Sequence, residues 1–94
     1  MNKNELVSAV ADAADISKKD ADAAITALVD VITQALREGD RVQLVGFGTF
    51  EVRKREARIA HNPHTHEPME IEATVVPVFK PGKILKDTVA HRGD

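Results

Sequence analysis

Apolar residues recur at helical spacing through the first third of the chain. Leu6, Val7, Val10, Ala11 and Ala14 mark one face of a first helix. Asn2, followed three residues later by Glu5, forms a capping pair able to open it. Ser17 and Asp20 repeat the device, with a hydroxyl that can accept from an unpaired backbone N–H and an acid near the positive helix end. From there Ala21, Ala24, Ile25, Leu28, Ile32, Ala35 and Leu36 form a long stripe, and Gly39 follows where helices commonly end. The pattern predicts two antiparallel helices joined by a short turn.

The period then changes to two. In RVQLVGFGTFEVRKR, Val42 and Leu44 share a face, and Phe50 and Val52 form a matched set. Gly46 and Gly48 bracket Phe47 where a sharp bend between strands needs positive φ or close backbone approach. MEIEATVVPVF alternates again, with Pro77 implying an edge or irregular strand. KPGKILKDTVA closes the chain with Pro and Gly ahead of a short helix carrying Ile84, Leu85 and Val89. The expected order is α-α-β-β-β-α, an α+β fold.

Between Val52 and Met69 the pattern fails. This polar stretch of about sixteen residues holds too little apolar area to offset the entropy of ordering it alone. It reads as a protruding β-ribbon or a mobile loop, and a long excursion from a compact domain usually has a task.

Size sharpens the picture. Ninety-four residues suit one domain with a thin core. Apolar residues supply 43%, yet the only aromatics are Phe47, Phe50 and Phe79, which argues for close-packed small side chains or for a core completed by a second subunit. The absence of cysteine excludes disulfides and thiolate metal sites. No signal-peptide run opens the sequence and no stretch is apolar enough for a membrane span, so a cytoplasmic location is expected.

The net charge of −2 gives no nucleic-acid signal by itself, but its distribution does. Residues 1–38 carry four Lys/Arg against seven Asp/Glu, net −3, and residues 39–94 carry nine against eight, net +1. Three chemistries compete for the excursion. His61, His64 and His66 make H-x2-H-x-H, but a proline interrupts the set and no fourth ligand is placed, so no metal site is assigned. No nucleophile–base pattern or phosphate-binding glycine loop appears, which argues against an enzyme and against a cofactor. Nucleic acid fits best. Arg53, Lys54, Arg55 and Arg58 climb the rising strand, and guanidinium groups match phosphate and enter narrow minor grooves. Strict alternation puts Arg53 and Arg55 on one face and Lys54 and Arg58 on the other, unless a bulge intervenes. Asn62-Pro63 supplies a rigid apolar wedge without an N–H to desolvate. The bland readings are a solvated strand face and an ordinary turn dipeptide.

The segments MNKNELVSAVA, ISKKDA, GDRVQLVGFGTFEVRKREAR, NPHTHEPMEI and VPVFKPGKILKD resemble the bacterial HU family of histone-like nucleoid proteins, relatives of integration host factor. The likeness spans residues 1 to about 90. It implies an intertwined homodimer with a helical base, a β-saddle and two ribbon arms that embrace double-stranded DNA through the minor groove. HU and integration host factor are themselves standard examples of wedge-inserting architectural proteins, so this mechanism comes with the resemblance. By position, Arg53, Arg55 and Arg58 match arm contacts to phosphate and groove. Asn62 and Pro63 match the tip, with Pro63 the intercalating residue. Lys80, Lys83 and Lys86 match the flank of the saddle, where the last helix's N-terminus can offer amides to phosphate, and Lys3 could reach DNA from the base. The implied division is 1–38 as helical dimerisation base, 39–52 and 75–82 as saddle, 53–74 as DNA-binding arm and 83–91 as C-terminal helix, all within a single 1–94 domain.

The arm departs from the family pattern. His61 stands where Arg is usual, Ala60 where Gly is common, His66 where the turn normally has Gly, and Val75 where Lys is frequent. Residues 51–74 hold four Lys/Arg against five Glu, net −1, so some Glu side chains could pair with the arginines across the ribbon and compete with phosphate. Fewer arm cations predict weaker binding and a shallower salt dependence. His66 makes a left-handed turn residue less comfortable and leaves room for another turn. Imidazole ordinarily titrates near pH ~6.5. Protonating three tip histidines would move each arm from −1 to +2 (−1 + 3), so DNA affinity is expected to rise as pH falls from roughly 8 to 6. The expected function is architectural: binding and bending DNA with little sequence preference, to compact the chromosome in the nucleoid. The alternative is a dimeric scaffold or protein-interaction module of the same fold with weakened DNA binding.

Overall fold

The computed structural model describes residues 1–91, so the last three residues of the single domain expected over 1–94 lie outside the described residues. The chain falls into two compact units, residues 1–35 and the part from Leu36 onward.

The first unit is helical. α1 (Lys3–Ala14) opens with the expected cap, the Asn2 side chain accepting from the Glu5 amide at 2.9 Å. It ends on Asp15, whose φ of 56° places it in the left-handed region, and the next amide, Ile16, donates to the Ala11 carbonyl at 3.0 Å. α2 (Lys18–Arg37) begins as Ser17 Oγ accepts from the Asp20 amide at 3.0 Å. Among the described residues only three apolar side chains are buried, Val7, Ala11 and Ala21, with Val10 and Ile25 packed against them. Ala21 is fully covered within this cluster. Leu28, Val29 and Val31 of α2 remain exposed.

The second unit holds the sheets. β1 (Val42–Leu44), β2 (Gly48–Arg55) and β5 (Thr74–Pro81) form an antiparallel sheet in the order β1-β2-β5. β3 (Arg58–His61) and β4 (Pro68–Ile71) form a separate two-stranded antiparallel ribbon. The excursion is thus a ribbon rather than an unstructured loop. The alternating run at 69–79, expected as one strand, is divided between β4 and β5 at Glu72 and Ala73, which pair with nothing in the ladders. Pro77 lies in β5, an edge strand of its sheet, where a missing N–H is tolerated.

The register makes the main sheet two-faced. Val42 pairs with Phe50 and Phe50 with Phe79; Val52 pairs with Pro77 and Lys54 with Val75. Directly paired residues share a face, so Val42, Leu44, Phe50, Val52, Val75 and Phe79 line one side. The Phe50 and Phe79 rings lie 4.8 Å apart and Phe47 joins them at 5.3 Å from Phe79. Leu44, Phe47, Val75 and Phe79 are nonetheless exposed. The other side carries Gln43, Thr49, Glu51, Arg53 and Arg55 with Thr74, Val76, Val78 and Lys80. The bend between β1 and β2 is closed by the Phe47 amide donating to the Leu44 carbonyl at 2.9 Å, with Gly46 at φ 86°. α3 (Lys83–Ala90) follows β5 directly, and the amide of Gly82 is held by the Phe47 carbonyl at 2.8 Å.

Candidate nucleic-acid interface

The ribbon's cations are placed by two ladders that stay in step across a short unpaired gap. Arg55 pairs with Thr74 and Arg58 with Ile71, so two residues intervene on each strand, 56–57 and 72–73. Neither strand gains a residue on the other, and no bulge shifts the alternation. Arg53 and Arg55 therefore share the polar face of the sheet, while Lys54 lies on the opposite face. Arg58 shares its ribbon face with Ala60, Met69 and Ile71; Ile59, His61, Pro68 and Glu70 occupy the other. All four cations are exposed.

The tip, residues 62–67, is closed by its own hydrogen bonds. The Asn62 amide donates to the Glu67 carbonyl at 2.9 Å, and the His66 amide donates to the Asn62 carbonyl at 2.8 Å. The Asn62 side-chain oxygen accepts from the amides of His64 at 2.8 Å and Thr65 at 3.4 Å, and Thr65 Oγ1 accepts from the Glu67 amide at 3.3 Å. Asn62 is half-buried by this work, and Pro63 beside it is exposed. The side-chain oxygen of Asn62 is thus a structural acceptor that fixes how Pro63 is presented. His66 keeps the left-handed conformation at φ 61°. The alternative turn allowed for by the sequence does not form, because the His66 amide and its neighbours are tied into the closing network.

Of the remaining expected cations, Lys80 and Lys3 have acidic partners. Lys80 Nζ lies 2.7 Å from Glu51 Oε1. Glu51 has its pKa lowered, chiefly by the hydrogen bond from Lys80; partial burial opposes this, and the charges of Lys80, Arg41 and Arg53 add to the lowering. Lys83 and Lys86 are exposed on α3, whose N-cap is Gly82 without a side-chain cap. Lys3, in the first unit, donates to Thr26 Oγ1 at 2.9 Å and lies 3.5 Å from Asp22 Oδ1. Glu51 was expected only as one of five arm glutamates able to pair with the arginines and compete with phosphate; its hydrogen-bonded partner is instead Lys80. Arg41 was not singled out by the sequence.

The histidines are not brought together around an ion. His61 lies opposite Pro68, and His64 and His66 sit in the turn. Among the described residues no group of three or more His, Asp or Glu has a metal-binding arrangement. No helix among them is long and apolar enough to cross a membrane.

Residues 1–90 match the family model described as bacterial DNA-binding protein. The DNA-binding protein HU of Geobacillus stearothermophilus is 62% identical over 89 residues, covering 95% of this chain and 99% of the relative. The DNA-binding protein HU 1 of Bacillus subtilis is 58% identical over 92 residues, covering 98% and 100%. The chain belongs to the bacterial HU family. Among solved HU structures, the Anabaena HU–DNA cocrystal structure superposes with a TM-score of 0.90 at 54% identity, covering 97% of this chain and 99% of that one. The HU of Thermotoga maritima superposes with a TM-score of 0.68 at 39% identity, covering 95% and 98%. The α+β architecture read from the chain, two helices, a three-stranded sheet, a ribbon arm and a short last helix, is that of the HU family.

Proposed function

We propose that two copies of this chain associate, and that the pair binds double-stranded DNA with little sequence preference, bends it and so helps compact the chromosome in the nucleoid. The observation that carries this reading is the arm tip, where the Asn62 network presents an exposed Pro63 at the apex of a ribbon whose base bears Arg53, Arg55 and Arg58. A proline ring so held can enter a base step, and the arginines can neutralise phosphates on either side. His61, Asn62 and Pro63 then form the groove-facing end, and Lys80, Lys83 and Lys86 the flank, with Lys3 a further contact once its bonds to Thr26 and Asp22 open. The Anabaena relative was crystallised with DNA, which supports the same partner here. The role requires no catalysis.

Association is supported by energetics. Burying Val7, Ala11 and Ala21 is worth only a few kcal/mol, whereas ordering the backbone costs about 1–2 kcal/mol per residue. The uncovered side of the sheet, with Leu44, Val75 and Phe79 exposed, offers the missing apolar area.

One observation favours a second reading. The arm's net charge of −1 over residues 51–74 suits a scaffold of the same fold that has lost much of its hold on DNA. Fluorescence anisotropy with a duplex of arbitrary sequence at two salt concentrations separates the two. Steep salt-dependent binding supports the architectural role, and no binding at low salt supports the scaffold.

A further inference from the structure

We infer that Glu51 is a built-in competitor for phosphate, which occupies Lys80 and limits how much that lysine adds to DNA affinity. The inference rests on the DNA reading above and adds a residue that tunes it. Thr49 pairs with Lys80 and Glu51 with Val78, so Glu51 and Lys80 are diagonal neighbours on the face that also carries Arg53 and Arg55. Their 2.7 Å separation lies in the range of a charge-assisted hydrogen bond. The carboxylate is the more sheltered partner, its side chain 21% exposed against 60% for Lys80, and Arg41 and Arg53 add their attraction to it. A carboxylate among three cations fills the role a phosphate would take from DNA.

Competition has a definite thermodynamic signature. A free lysine that meets a phosphate releases DNA counterions and adds about 0.9 to the log–log salt slope. Lys80 must first leave Glu51. The bared carboxylate then stands beside DNA and draws a cation from solution, which offsets that release. In the native protein Lys80 therefore contributes little to the slope.

The test is anisotropy titration of a duplex with the full-length protein between about 50 and 200 mM salt. Glu51→Gln keeps the side chain's shape and removes its charge. It is expected to bind more tightly, with a slope steeper by up to about 0.9 per protomer, so its advantage grows about threefold per protomer as salt falls from about 200 to 50 mM. The gain should vanish when Lys80→Gln is added, because Lys80 is the group released. Lys80→Gln alone should lower the slope by much less than the about 0.9 per protomer of a lysine without a competitor, which keeps the test decisive even if the Glu51 variant folds poorly. Equal slopes for native protein and Glu51→Gln, a gain that survives Lys80→Gln, or a slope that falls by about 0.9 per protomer in Lys80→Gln alone would each overturn the inference. Absence of binding by the native protein would instead overturn the DNA reading itself.

Discussion

Gly48 lies so close to the ring of Phe79 that a Cβ atom there would stand 2.6 Å from two ring carbons and 2.6 Å from the Lys80 carbonyl oxygen. The backbone oxygen cannot swing aside as a flexible side chain could. Gly48→Ala should therefore force β2 and β5 apart and cost about 1–3 kcal/mol, read as a lower urea midpoint. An unchanged midpoint would mean that the two strands separate there without penalty.

The tip offers a local test of backbone strain. His66 holds a left-handed φ of 61°, a conformation that costs a residue with a Cβ about 1–2 kcal/mol. His66→Gly should relieve part of that cost and slow hydrogen exchange at the Asn62 and His66 amides by up to about fivefold. Asn62→Ala should do the reverse, since it removes the acceptor for His64 and Thr65.

Pro63→Ala should separate bending from binding. The cations at the base of the arm remain, so affinity for a duplex is expected to fall by less than about fivefold, whereas end-to-end energy transfer across a labelled duplex should return most of the way to that of free DNA. Full bending by the variant would remove Pro63 from its assigned place in the base step.

The ion pair of Glu51 with Lys80 should survive mild acidification. The pKa of Glu51 lies below the ordinary glutamate value, so the pair is present above the usual carboxylate range and is lost only as pH falls through the depressed value. The difference in salt slope between the native protein and Glu51→Gln should therefore be the same at about pH 8 and pH 6, as read by anisotropy titration; a difference that disappears at pH 6 would mean the carboxylate is already protonated there.

Local devices were readable from the chain because they depend on neighbours a few residues away. Asn2 and Ser17 cap their helices, Gly39 and Gly46 take positive φ, and Gly48 marks a close approach. What depended on distant pairing was not readable. Whether residues 53–68 formed a ribbon or a loop turned on the register of β3 with β4 and on the Asn62 closure, neither of which leaves a periodic mark. The same holds for Lys80, whose partner is fixed by a register spanning some thirty residues. His66 misled in the other direction, since its intrinsic discomfort is outweighed by the hydrogen bonds around it.

The matched pair of two-residue interruptions, at 56–57 and 72–73, has an evolutionary corollary. Adding or deleting one amino acid in a single strand would turn every outboard side chain to the wrong side, swapping Arg58 with Ile59 as the outward group. Length variation in this limb must therefore arrive in balanced pairs, or be confined to the hairpin's end.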